Sequence, residues 1–288
     1  MLHSDSLESL KHRIARIERL RAPEQARHTK GGHTSIGHAD IDNALGGGLT
    51  RGRVHEVFAA EAGDAGSAAG FVAVLAQRLG GTIVWLREVQ AERQGGTLHA
   101  PGLIGIGIDP GQVIVGLMPD PLAVLRAAAD VVRCPEVGVA VIELWRNPRL
   151  LDLTASRRLA LAAEGSGVTV IALRIAASPS PSAAQTRWQI AAAASAPLEA
   201  NAPGHPAWTI ELLRQRGRPA GGAWRVEWNR EQASFADAPE VDGAVDGAVD
   251  GAVDGAVDPA RDPPLSGAVL PFSAGGPVDA AGTLRRTG

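Results

Sequence analysis

From about residue 39 to residue 230 two hydrophobic rhythms alternate along the chain. Runs in which nearly every position is apolar, Val54–Phe58, Thr82–Leu86, Val113–Gly116, Val137–Leu144 and Val168–Leu173, predict strands buried on both faces. Between them Ala68–Leu79, Pro121–Arg133 and Thr154–Glu164 carry helical periodicity. Such alternation predicts an α/β fold with a mostly parallel sheet flanked by helices. The rhythm then changes. Trp188–Ala193 and Trp208–Arg214 lead to a Pro219–Gly222 turn and to Trp224–Trp228, where Trp224, Val226 and Trp228 alternate with Arg225 and Glu227. Period two predicts a C-terminal β-hairpin with one buried face.

Two appendages flank this core. Residues 5–20 predict an amphipathic helix: Asp5 and Glu8 have capping-box spacing, and Leu7, Leu10, Ile14 and Ile17 make one apolar stripe. A helix this short is marginal alone. The stripe therefore packs on its own domain, on a second copy or on a partner. Residues 21–38 are polar, carry His28, His33 and His38, and read as a linker, so that 1–38 forms one unit ahead of a 39–230 core. Residues 231–288 predict a disordered acidic tail. Val-Asp-Gly-Ala repeats from Val241 to Ala256, and so little bulky apolar surface does not offset the entropy of ordering. The regularly spaced Asp242, Asp246, Asp250 and Asp254 lack the ligand pattern of a calcium loop, and no metal site is expected.

Charge sharpens this division. The formal net charge is −3, yet residues 231–288 alone hold ten acids and three bases, which leaves the rest mildly basic. That balance is compatible with contact to nucleic acid but falls short of a basic footprint. One cysteine, Cys134, rules out a disulfide framework within the chain and fits a reducing compartment. No apolar run reaches membrane-spanning length, and Met1–Leu20 has no signal-peptide core, so the expectation is a cytoplasmic protein without a membrane partner. The histidines are not spaced with Cys or Glu as metal ligands, and no nucleophile elbow occurs.

The string from Ile41 through Gly46, Gly47 and Gly48, followed by Arg51-Gly52-Arg53 and the Val54–Phe58 strand, resembles the start of the RecA ATPase core. In that family the strand runs into a phosphate-binding loop ending in Gly-Lys-Ser/Thr, whose amides, lysine and hydroxyl hold the phosphates and magnesium. Here it runs through Glu61, Gly63, Asp64, Gly66 and Ser67. Without gaps Ala65 takes the lysine position; aligned on Gly66, Ser67 does. No alignment recovers a lysine, because the only lysines are Lys11 and Lys30. Asp64 puts negative charge where phosphates would sit. Glu143 stands where the family has a magnesium-orienting Asp, and Glu88 is a candidate for the glutamate that activates water. The loop therefore reads as a degenerate nucleotide site: no catalytic residue is expected, no cofactor is required, and weak ATP binding stays open.

Further strings narrow the resemblance. Ala100-Pro101-Gly102-Leu103, Asp109-Pro110-Gly111, Leu153 to Leu159, Ala184 to Trp188 and Trp224 to Trp228, taken with the degenerate loop, are similar to the ImuA family of RecA-like proteins over about residues 39–230. The resemblance implies a role in damage-inducible (SOS) mutagenesis and translesion synthesis. Its implied partners are an inactive Y-family polymerase relative (ImuB-like), an error-prone replicative-type polymerase subunit, and in addition RecA or DNA. Arg187, Trp188, Arg214, Arg216 and Arg218 are the candidate DNA contacts, arginines for phosphates and the indole for a base. The alternatives are a single-stranded-DNA binder and an unconventional ATPase that uses arginine in place of lysine.

Overall fold

The computed structural model describes residues 31–219 and 221–239. The striped segment with Leu7, Leu10, Ile14 and Ile17 and the Val-Asp-Gly-Ala repeat lie outside the described residues.

The described residues begin with a two-residue strand, His33–Thr34 (β1), which pairs antiparallel with Leu49–Thr50 (β2) around a short helix, Ala39–Leu45 (α1). That helix ends on Gly46 in the left-handed region at φ 77°, and the Gly46 and Gly47 amides close the turn on Asn43 and Asp42. The Asp42 carboxylate then turns back. It accepts from the Ile36 amide at 2.8 Å and the Ser35 hydroxyl at 2.6 Å. Ile36 and His38 are buried, so the residues expected to form the end of a linker belong to the fold.

Strands Val54–Ala59 (β3), Thr82–Glu88 (β4), Val113–Met118 (β5), Val137–Trp145 (β6), Thr169–Ile175 (β7) and Thr186–Ala193 (β8) are joined in parallel. Ala207–Gln215 (β9), Ala223–Asn229 (β10) and Ser234–Asp237 (β11) continue the sheet antiparallel. The order across the nine strands is β11-β10-β9-β8-β3-β7-β6-β4-β5. The expected mostly parallel sheet flanked by helices, with a C-terminal hairpin, is the architecture the chain adopts.

Each face of the sheet has its own core, set by the two-residue alternation of the strands. Val57, Val139, Val141, Ile171 and Leu173 pack with the helix Ala65–Leu79 (α2). Val54, Val84, Ala140, Ile142 and Val170 pack with Pro121–Val131 (α5) and Leu153–Ser166 (α6) on the other face. Local chemistry starts both of these helices. Asp120 accepts from the Ala123 amide at 2.8 Å ahead of Pro121, and Asp152 accepts from the Ala155 amide at 2.7 Å.

Three pieces differ from the sequence expectation. The short helices Val89–Gly95 (α3) and Ala100–Gly105 (α4) bury almost nothing of their own, so they leave no periodic signal. Strand β11 falls inside the segment expected to be disordered. It is held by Phe235, whose ring meets Phe71, Trp208 and Trp228 at centroid distances of 5.6, 5.9 and 5.0 Å.

Candidate functional site

Strand β3 ends at Ala59, and the chain makes one tight turn, Ala62–Asp64, before α2 begins at Ala65. A loop that wraps phosphate needs successive amides converging through residues of alternating backbone hand. Among the described residues between Arg53 and Leu79 no backbone has positive φ. Gly63 and Gly66 are in ordinary conformations, and a Cβ at either would meet nothing within 4 Å. Glu61 and Asp64 flank the turn. Asp64 does not cap α2 with its side chain; its carboxylate accepts from the Ala192 amide of β8 at 3.0 Å. The acid at the mouth of the loop is thus tied to the neighbouring strand.

The second acidic position is equally committed. Glu143 is 3% exposed. Its Oε1 accepts from Arg87 Nη2 at 2.9 Å and Trp145 Nε1 at 3.0 Å, and its Oε2 accepts from Trp85 Nε1 at 2.9 Å. The β4–β6 register aligns Leu86 with Ile142, which puts Arg87 beside Glu143. A carboxylate holding one guanidinium and two indoles is neutralised within the protein.

Between α2, Glu143, Trp145 and Trp208 lies a cleft of about 480 Å³ that His99 and His205 also line. It occupies the carboxyl ends of the parallel strands, where ligands bind in sheets of this kind. The residues present do not fit a nucleotide with magnesium. The converging amides and the lysine are lacking, and the two acids nearest the loop are bonded to protein groups. Arg78, the cation that follows on α2, donates instead to the Ser35 and Ala233 carbonyls and stitches the ends of the core together. Glu88 ends β4 with its carboxyl held above the usual carboxylate range by partial burial, with the charges of Asp120 and Glu143 adding to it.

The candidate DNA contacts divide into two groups. Arg187 and Trp188 are buried. Arg187 donates to Glu56 Oε2 and Ser182 Oγ at 2.7 Å each and to the Ser180 carbonyl. Trp188 donates to Thr186 Oγ1 at 2.8 Å. Neither side chain can meet a phosphate or a base, which corrects the sequence expectation. A cation six residues past Pro181, after a run of prolines and small residues, looks exposed in sequence, but β8 lies inside the sheet and Glu56 faces it from β3. Arg214, Arg216 and Arg218 are exposed on the turn side of the β9–β10 hairpin, and the Arg218 guanidinium lies over Gly46.

Sequence reasoning singled out Glu143 and Arg187 but missed their buried partners Arg87 and Glu56, and missed Arg174. Besides Arg87–Glu143 and Arg187–Glu56, Arg174 of β7 is 1% exposed, lies 5.7 Å from the Phe58 ring centroid and donates to Asn147 Oδ1 at 2.9 Å. Burial lowers its pKa, against the field of Glu56. The signal was in the strings: Glu56, Arg87, Glu143 and Arg174 each interrupt an otherwise apolar strand, the last three near its carboxyl end.

No protein-family model matches the chain, nor does any curated protein. Among solved structures the chain is similar to the RadB recombinase, at 15% identity and a TM-score of 0.48, over 72% of this chain and 100% of that one.

Proposed function

We propose that the chain is a non-hydrolysing RecA-like accessory protein of SOS-induced mutagenesis and translesion DNA synthesis. It acts by binding. Its principal partner is an inactive Y-family polymerase relative of the ImuB kind, with an error-prone replicative-type polymerase subunit, RecA and DNA as further ones. The observation that carries the reading is the commitment of Glu143 to Arg87, Trp85 and Trp145 at a strand end where a phosphoryl-transfer site needs a free acid. The ImuA-like strings supply the pathway and the partners. Among the described residues no helix is long and apolar enough to cross a membrane.

Two measurements test this reading. Purified full-length chain should show no ATP turnover; turnover that disappears in Glu143→Gln would overturn the non-hydrolysing part. Co-expression with an ImuB-like protein should give a complex that survives size exclusion. Truncations should remove residues 1–30 or 240–288, because β1 and β11 belong to the fold. Failure of every version to form the complex would overturn the partner.

A second reading, single-stranded-DNA binding, is favoured by the exposure of Arg214, Arg216 and Arg218 on one hairpin.

A further inference from the structure

On the face of the sheet opposite α2, helices α5 and α6 lie side by side over β4, β6 and β7. Their outer surfaces leave a groove of about 660 Å³. Three leucines stand open along it: Leu122 on α5, Leu161 on α6 and Leu150 in the segment ahead of α6, at 37, 68 and 50% exposure. Isolated exposed leucines are ordinary, but a row of them along one groove marks a contact surface. The floor is small and flat where Ala129, Ala155 and Ala162 face outward. A third helix can therefore approach closely.

The rim is cationic. Arg126, Arg133 and Arg158 line the groove, and no acidic residue does. Arg133 has Asp130 as a loose neighbour at 3.5 Å. Arg126 and Arg158 have no carboxylate partner among the described residues, in contrast to the buried Arg87 and Arg187, which pair with Glu143 and Glu56. Nucleic acid would use the arginines and leave the leucines unused. The groove also offers no aromatic ring on which a base could stack. A protein helix uses both features, its apolar stripe on the leucines and its acids on the arginines.

We infer that the α5–α6 groove is a docking site for an acidic amphipathic helix of a partner protein, with apolar residues at three- and four-residue spacing flanked by Asp and Glu. The two helices have 11 and 14 residues, about 16 and 21 Å at the α-helical rise, so the occupant engages through three to four turns. The inference rests on the binding-accessory reading and gives it a surface. The two fail separately: ATP turnover would sink that reading and leave the groove intact, whereas loss of helix binding would sink the groove alone.

The test uses the full chain and fluorescein-labelled helical peptides of about 16 residues, a length matched to the groove. One carries leucines at 3-4-3 spacing flanked by glutamates, a second the same leucines flanked by lysines, and a third the first composition with its stripe scrambled. By fluorescence anisotropy the acidic striped peptide should bind at least about tenfold more tightly than either control. Leu161→Ala should weaken it by about tenfold and Leu122→Asp with Leu161→Asp should abolish it. Arg126→Glu with Arg158→Glu should invert the preference toward the lysine-flanked peptide. All four positions are exposed, and unchanged thermal melting confirms that the variants fold. Equal binding of the acidic and lysine-flanked peptides overturns the proposal. So does binding that requires removal of residues 1–30, which would assign the groove to the chain's own amino-terminal stripe. So does self-association in sedimentation velocity that Leu161→Asp dissolves, which would assign it to a second copy.

Discussion

At the scale of the residue, the chain keeps charged and polar groups inside its strands and gives most of them hydrogen-bond partners there. His55 is 1% exposed, with Nε2 at 2.9 Å from the Thr50 carbonyl and Nδ1 at 2.7 Å from Thr186 Oγ1. Trp188 Nε1 donates to that same hydroxyl, so the hydroxyl donates onward to Nδ1 and the imidazole is neutral, its Nε2–H held by Thr50. Burial lowers the His55 pKa to about 4; the Thr50 bond opposes this and the Arg53 charge adds to it. Because the folded value lies below the ordinary 6.5, the unfolded chain binds the proton first. The stabilisation is complete above pH 6.5 and is lost as pH falls from there toward 4, about 3 kcal/mol in all. Urea unfolding followed by tryptophan fluorescence at pH 7.5, 5.5 and 4.5 should show this loss in the native chain and much less of it in His55→Gln. Glu143 behaves oppositely under substitution. Glu143→Ala leaves the Arg87 guanidinium buried without its anion and should cost about 3–5 kcal/mol, whereas Arg87→Met with Glu143→Leu should recover most of it. A stability no lower in Glu143→Ala than in the native chain would refute the pairing. Sequence alone located Glu143 but gave no view of its partners, because Arg87 lies 56 positions away and only the parallel register brings it alongside.

At the scale of the element, much of the sheet and its helices was legible because it is written twice, in periodicity and in caps. Asp120-Pro121 and Asp152 mark helix starts that the apolar pattern placed within a residue or so. The parts that escaped have no pattern of their own: α3 and α4 bury little, and β11 is four residues long and depends on one phenylalanine. Phe235→Ala should therefore cost about 3–5 kcal/mol, although the sequence reads as tail there. An unchanged urea midpoint would show that β11 contributes nothing. The turn between β3 and α2 offers a sharper contrast. In a loop that cradles phosphate a Cβ intrudes on the ligand. Here Gly66 lies in the first turn of α2 with open space beside it, so Gly66→Ala should leave stability unchanged or raise it by about 0.5–1 kcal/mol. Gly48→Ala should do the reverse. Gly48 has φ 110°, and a Cβ there would collide with the Thr34 carbonyl oxygen, so thermal melting should fall by several degrees.

At the scale of the whole molecule, the interior carries the fold, and the proposed binding role places the function on the surfaces. If the β9–β10 hairpin meets single-stranded DNA, neutralising Arg214, Arg216 and Arg218 to Gln should weaken binding uniformly across sequences. It should also reduce the slope of log affinity against log salt by about 2, at about 0.7 per lost phosphate contact. An unchanged slope would remove the hairpin from any such contact, and Arg187→Gln should not mimic the effect, since that side chain faces Glu56. The mild positive charge of the core was legible in the sequence. Which arginines face outward was not, because exposure depends on the position of each strand in the sheet.

The junction of His38 with Asp237, with Arg78 reaching both Ser35 and Ala233 beside it, also has a meaning in time. The two ends of that junction are 199 positions apart. At 5–20 residues per second the ribosome makes His38 about 10–40 s before Asp237. Until Phe235 is made, Phe71 and Trp208 lack it and the outer edge of β10 has no neighbour. Until β11 is made the nascent chain stays open to proteases and to pairing with another nascent chain, and this strand acts as the latch that closes the exposed sheet edge.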